Sequence, residues 1–279
     1  MGDQGGKGQG GKGQGGGGKG GGGKGGRDKA RGPGGGSGRG LKTKAGTVKG
    51  RSASSTRWLR RQHADPYVAE AKAQGYRSRA AFKLVQMDER FGLLKRGACV
   101  VDLGAAPGGW TQVALERCGR SARVVALDLV EMAPIEGAVL LTGDFREAEV
   151  QARVAAALDG PASLVLSDMA APATGHADTD HLRVMALAEA AFDFAAEVLR
   201  PGGAFVAKVL QGGTEPALLN RLKRAFAKLR HVKPPASRAD SAEMYLVATG
   251  FRGGAEARDG PGDGPGDGPR GRAGGATEV

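Results

Sequence analysis

The chain has 279 residues, with 41 Lys and Arg against 29 Asp and Glu, a net charge of +12, and 51 glycines. Two cysteines, Cys99 and Cys118, are too few for a disulfide framework and read as thiols in a reducing compartment. No apolar run approaches the ~18 residues of a membrane span, and no apolar segment follows the basic start as a signal peptide requires, so a cytoplasmic protein is expected.

Residues 1–55 are dominated by glycine punctuated by lysine, as in "GGKGQGGKGQGGGGKGGGGKGG". Such a stretch buries too little apolar surface to offset the entropy of ordering it, so a disordered tail is expected. The first 56 residues carry twelve Lys and Arg against Asp3 and Asp28, so most of the positive surplus sits there. A flexible basic tail suits a polyanion such as RNA, held by counterion release; a merely solubilising tail is the plainer reading. Residues 253–279 contain "DGPGDGPGDGPRG", in which Gly at every second position excludes collagen and predicts a second disordered tail. Residues 56–252 remain, enough for one domain with its own core.

Within that core, residues 56–94 carry apolar residues at helical spacing, with Gly75 separating two helices. Short β-branched runs then alternate with longer Ala- and Leu-rich ones. "ACVVDLG" predicts a strand, "GGWTQVALERCG" a helix ending at Gly119, and "ARVVALDLV" and "AVLLTGDF" two strands. "REAEVQARVAAALDG" predicts a helix closed by Gly160, "ASLVLSDMA" a strand, and residues 180–200 a long helix stopped by "LRPGG". "AFVAKVL" reads as a strand, "EPALLNRLKRAFAKLR" as one helix, and "AEMYLVATGF" as the last strand. This alternation predicts an α/β fold, a doubly wound and mostly parallel sheet with helices on both faces. Ligands of such sheets bind beyond the carboxyl ends of the strands. The four histidines, at 63, 176, 181 and 231, have no metal-ligand spacing, and no metal is expected.

The stretch "VVDLGAAPGGW" (100–110) falls at the first strand-to-helix junction. Gly104 permits a tight turn, and Gly108 and Gly109 leave the helix start bare. Asp128 closes the next strand twenty residues after Gly108, where a carboxylate can accept hydrogen bonds from ribose hydroxyls. The Gly-x-Gly-x-x-Gly dinucleotide fingerprint is absent, and Pro107 removes an N–H that would have cradled a pyrophosphate. These features favour an adenosine-containing cofactor without phosphates.

Together, "SRAAFKL", "VVDLGAAPGGW", "LDL", "GDF", "LVLSDMAAP", "FVAKVL" and "SAEMYLVATGF" resemble the FtsJ/RrmJ (RlmE) family of 2′-O-ribose RNA methyltransferases, from about Ser54 to Phe251. The resemblance implies a Rossmann-like methyltransferase fold, S-adenosyl-L-methionine as cofactor and ribosomal RNA of the large subunit as substrate, with a uridine ribose as target. It implies cofactor contacts from Gly108 and Trp110 at the methionine end, Asp128 at the ribose, Asp144 at the adenine and Asp168 near the amino group. It also marks Lys83, Asp168, Lys208 and Glu243 as a catalytic set. Asp168 and Lys208 end apolar runs, "LVLSD" and "FVAK", and a lysine at the end of a buried strand is costly unless paired.

Lys208 is the expected general base, oriented by Asp168 and Glu243, with Lys83 placing positive charge near the developing alkoxide. A lysine of ordinary pKa ~10.4 is neutral about once in 2,500 at pH 7, so such a base needs a tuned surrounding. Arg57, Arg60, Arg61, Tyr76, Arg77 and Arg79 precede Lys83 as a basic, aromatic-bearing segment suited to RNA phosphates and bases. A monomer is expected. A small-molecule methyltransferase, a transfer-RNA methyltransferase and a non-catalytic RNA-binding protein on this fold are the competing readings. The Lys-Asp-Lys-Glu set disfavours the first and the last.

Overall fold

The computed structural model describes residues 65–212 and 214–253; the expected tail 1–55, the expected tail 253–279 apart from Gly253, and Arg57, Arg60 and Arg61 lie outside the described residues. Two helices come first, α1 (Pro66–Ala73) and α2 (Ala81–Phe91). They are followed by β1 (Cys99–Leu103), α3 (Gly109–Cys118), β2 (Arg123–Asp128), β3 (Ala138–Thr142), α4 (Ala148–Leu158) and β4 (Ala162–Ser167). The chain continues with α5 (Ala177–Val198), β5 (Leu199–Leu210), α6 (Pro216–Ala225), β6 (Phe226–Val232) and β7 (Glu243–Phe251).

The seven strands form one sheet in the order β3-β2-β1-β4-β5-β7-β6. Neighbours from β3 to β5 pair in parallel, and β7 runs antiparallel to both β5 and β6. This is the expected doubly wound α/β sheet, a Rossmann-like methyltransferase fold, and the topology switches between β1 and β4.

Strand side chains alternate between two buried faces. Val101, Val125, Val165, Phe205 and Leu246 pack with α4, α5 and α6, whereas Val100, Val124, Leu164, Val206 and Tyr245 pack with α2 and α3. A fully buried Phe or Leu such as Phe192 or Leu84 contributes about 1.5–3 kcal/mol. Buried on both faces, these strands read as nearly continuous apolar runs. The same alternation assigns Lys208 and Tyr245, directly opposite in register, to the face that α2 covers.

Helix boundaries differ in two places. The long helix ends at Val198, and "LRPGG" opens β5 rather than merely stopping the helix. The stretch expected as a single helix over 215–230 stops at Ala225, and Phe226–Val232 is an edge strand paired with β7. Phe226, Leu229 and Val232 recur at intervals of three, which fits a helix by sequence. The unpaired edge of β7 decides otherwise by supplying backbone partners, a tertiary choice that local spacing cannot encode. Exposed Lys228 and Arg230 along the strand discourage further pairing at this edge.

Candidate active site

The carboxyl ends of β1 to β4 open into a cavity of about 610 Å³ walled by Gly104, Asp128, Asp144 and Asp168, with Arg183 and Leu187 of α5 opposite. Gly104 has φ 75°, and a Cβ there would lie 2.7 Å from the Met169 nitrogen. The glycine therefore lets the β1–α3 loop close against the end of β4.

The N–H groups of that loop are engaged within the protein. Gly104 and Ala105 donate to the Leu127 carbonyl at 2.9 and 3.1 Å, and Gly108 donates to Ala105 at 2.6 Å. Ala106 donates to Asp128 Oδ2 at 2.8 Å, and Pro107 has no N–H. No nest of free amides remains from 104 to 108 for a pyrophosphate, which favours a nucleoside ligand without phosphates. A volume of about 610 Å³ lies within the usual range for a ligand of that size.

Asp128 braces the cavity from both sides, since its Oδ1 also accepts from Val130 N at 2.9 Å. Each oxygen keeps a lone pair for a hydroxyl. Asp144 lines the cavity too, but Arg146 Nε holds its two carboxylate oxygens at 3.0 and 3.1 Å. Hydrogen bonding from Arg146 lowers the Asp144 pKa to about 2.

Gly108 and Trp110 are not among the residues lining this cavity. Trp110 is buried behind it, donating from Nε1 to the Ala80 carbonyl at 2.8 Å and packing on Tyr245 at 5.6 Å between centroids. Gly108, at φ 107°, lies against Ile135, whose Cδ1 would be 2.5 Å from an added Cβ. Both residues anchor the loop by packing.

Lys83, Asp168, Lys208 and Glu243 converge in one network, and Asp168 ties it to the cavity wall. Lys208 Nζ lies 2.7 Å from Asp168 Oδ1 and also donates to the Asp168 carbonyl at 2.7 Å. Lys83 Nζ lies 2.6 Å from Glu243 Oε1. The two ion pairs are joined by Tyr245, whose hydroxyl accepts from Lys83 Nζ at 3.1 Å and donates to Asp168 Oδ1 at 2.7 Å. Ser237 Oγ donates to Glu243 Oε1 at 2.9 Å. The set balances two positive and two negative charges, which is how four ionised groups are held with little water around them.

Burial works to raise the Glu243 pKa, but Lys83 and Lys208 outweigh it and hold the carboxyl below its ordinary value. Burial, then the charges of Asp168 and Glu243, push the Tyr245 phenol well above its ordinary value, so it stays a neutral donor. Tyr245 was absent from the sequence-derived set. Its signal was the two-residue spacing from Glu243 on a strand, which puts both on one face.

Asp102 was also missed, although an acid inside "VVDLG" is conspicuous. It is fully buried, its Oδ2 accepting from Thr111 Oγ1 at 2.7 Å, and its Oδ1 has no partner. Burial above all, with the charges of Asp168 and Asp128 adding, raises its pKa to about 7 against the opposing Thr111 bond.

The basic segment expected to face RNA is partly committed elsewhere. The Arg77 guanidinium donates to the carbonyls of Ala133 and Pro134, each at 2.7 Å, and so ties down a loop. Tyr76 donates to Glu116 at 2.6 Å, and burial with that bond pushes its pKa to about 12. Arg79 Nε sits 2.8 Å from Asp65 Oδ2.

The sequence profile of the FtsJ-like methyltransferase family matches residues 76–251, which contain the sheet and all four converging residues. A protein of Paramagnetospirillum magneticum named ribosomal RNA large subunit methyltransferase E is 59% identical over 235 residues, 82% of this chain and 96% of its own length. A protein of the same name from Rhodospirillum rubrum is 58% identical over 229 residues, 81% of this chain and 87% of its own. Among solved structures, a Plasmodium falciparum protein described as a ribosomal RNA methyltransferase aligns with TM-score 0.57 and 29% identity, covering 64% of this chain and all of that one. With the strand order, the loop and the profile in agreement, the chain belongs to the FtsJ-like methyltransferase family.

Proposed function

We propose that this protein transfers a methyl group from S-adenosylmethionine to the 2′-hydroxyl of a uridine ribose in large-subunit ribosomal RNA. The observation that carries the reading is the meeting of Lys83, Asp168, Lys208 and Glu243 in one network whose Asp168 also walls a cavity suited to an adenosine without phosphates. The names of the relatives in Paramagnetospirillum magneticum and Rhodospirillum rubrum support the choice of RNA. When bound, the cofactor supplies an electrophilic methyl carbon on a sulfonium and leaves as a neutral thioether.

Asp128 would hold its ribose hydroxyls, Asp144 its adenine edge and Asp168 its amino group. Arg146 must turn aside for Asp144 to reach an adenine, because its guanidinium now engages that carboxylate. Lys208 acts as base in its neutral form, after releasing its ammonium proton to water; its lone pair then takes the proton of the 2′-hydroxyl, and the Asp168 carboxylate and carbonyl fix the direction of its Nζ. Lys83, tethered by Glu243 and Tyr245, places a positive charge beside the oxygen as negative charge grows on it. The glycine- and lysine-rich stretch, outside the described residues, would add RNA affinity that falls with salt.

A positioned base contributes typically 10²–10⁴-fold. Lys208→Ala is therefore expected to lose activity by that order on undermethylated large subunits, while binding S-adenosylhomocysteine within twofold of wild type. The product is read by mapping 2′-O-methyl groups on the RNA. A variant methylating at the wild-type rate would remove Lys208 from the mechanism.

A further inference from the structure

A second cavity, of about 270 Å³, is lined by Arg79, Lys83, Arg238, Asp240, Ser241 and Glu243. We infer that it holds the phosphodiester on the 3′ side of the methylated ribose, with Arg238 as its principal contact. The inference deepens the proposed ribose methylation and rests on it.

Three observations carry it. First, the cavity shares Lys83 and Glu243 with the proposed reacting set, so whatever fills it lies beside the reacting group. In RNA the 3′-oxygen sits on the carbon adjacent to the one bearing the 2′-hydroxyl, so an anionic phosphate must lie immediately beside any ribose presented there. Second, two arginines from distant parts of the chain converge on the cavity around one buried carboxylate. Arg79 Nε is 2.8 Å and Arg238 Nε 3.4 Å from the same oxygen of Asp65, which also caps α1 by accepting from Tyr67 N at 3.1 Å. Both contacts use Nε, so neither terminal fork is engaged by that carboxylate, and the terminal nitrogens are the geometry that grips a phosphate. One fork nitrogen of Arg79 is already used, donating to the Ala236 carbonyl, which makes Arg238 the more available of the two.

Third, the acids in the wall do not oppose an anion strongly. Glu243 is engaged by Lys83 and Ser237, and Asp240 stands exposed in solvent. Ser241 Oγ accepts from Glu243 N at 3.2 Å and keeps its own proton to donate. The loop carrying Arg238 and Ser241 joins β6 to β7, so the same strand that delivers Glu243 and Tyr245 also fixes this cavity.

The test uses the full chain, saturated with S-adenosylhomocysteine, and short labelled oligouridylates that each carry one uncharged methylphosphonate linkage at a successive position. One position is expected to weaken wild-type binding about tenfold, the effect of one charge-assisted hydrogen bond. Arg238→Ala should weaken binding of unmodified RNA by the same factor, lose nothing further at that one position, and reduce the log–log salt slope by about 0.7. Arg238→Lys should keep the slope but recover only part of the affinity, since a point charge replaces a fork. Wild-type affinity and slope in Arg238→Ala, or losses that multiply at every position of the scan, would overturn the assignment. Methyl mapping separates the two readings: a ribose product without coupling defeats this inference alone. A base-methylated product defeats the ribose reading and the 3′ placement with it.

Discussion

Replacing Tyr245 by Phe deletes one oxygen atom that joins the two ion pairs. The ring stays packed on Trp110, at 5.6 Å between centroids, and beneath Lys83 Nζ, 5.6 Å from its own centroid. Two hydrogen bonds vanish, the 3.1 Å bond from Lys83 and the 2.7 Å bond to Asp168. Bonds to charged groups contribute about 1.5–3 kcal/mol each, but no charge is left alone here, because Lys83 keeps Glu243 at 2.6 Å and Asp168 keeps Lys208 at 2.7 Å. The expected loss of stability is therefore at the low end, about 1–3 kcal/mol in total. For a domain near 200 residues that lowers Tm by roughly 2–12 °C. Activity should fall further than stability suggests, about 10–100-fold in kcat, because Lys83 is no longer held toward Asp168. Affinity for S-adenosylhomocysteine should stay within twofold, since Tyr245 does not line the larger cavity. Differential scanning calorimetry and single-turnover methyl transfer on undermethylated subunits read the two effects. Unchanged Tm together with unchanged single-turnover rate would refute the bridging role of the phenol.

Three further outcomes follow from the same geometry. Lys83→Ala leaves the part-buried Glu243 with the Ser237 bond and the charge of Lys208 but no direct ion pair, so stability should drop by up to about 3–5 kcal/mol, and Lys83→Ala/Glu243→Ala should recover part of it in denaturant melts. Asp102 titrates at about 7 in the folded chain against ~3.9 when unfolded, so the folded state holds the extra proton between those values. Its contribution is most favourable below about pH 4, is lost as pH rises to about 7, and the loss, on the order of 4 kcal/mol, is complete above that. Urea midpoints at pH 5 and 8 should accordingly differ less in Asp102→Asn than in wild type. Gly104→Ala places a Cβ 2.7 Å from Met169 N at a φ of 75°, so it should lower Tm and weaken S-adenosylhomocysteine binding in calorimetry; a neutral result in both would remove the close approach from the account of the cleft.

By itself the sequence determined whatever depends on local spacing. Alternating β-branched and Ala- and Leu-rich runs specified the doubly wound sheet, and Gly104 through Gly108 marked the strand-to-helix junction that helps wall the cavity. Asp168 was legible because it directly follows the apolar run of β4, whereas Lys208 lies inside β5, two residues before its end at Leu210, rather than closing the strand as expected. The tertiary structure decided what depends on a neighbour distant in the chain. Phe226–Val232 is spaced like a helix but becomes a strand because β7 offers an edge. Arg77 looks like a phosphate ligand but ties down the Ala133–Pro134 loop. Trp110 is placed by a partner that spacing does not reveal, the Ala80 carbonyl that accepts from its Nε1. Tyr245 looks like one more apolar strand residue, and only the register with Lys208 and the packing of α2 turn its hydroxyl into the link between two ion pairs. Periodicity states which face a side chain occupies, whereas its partner there is chosen by packing and charge balance among segments brought together from the whole fold.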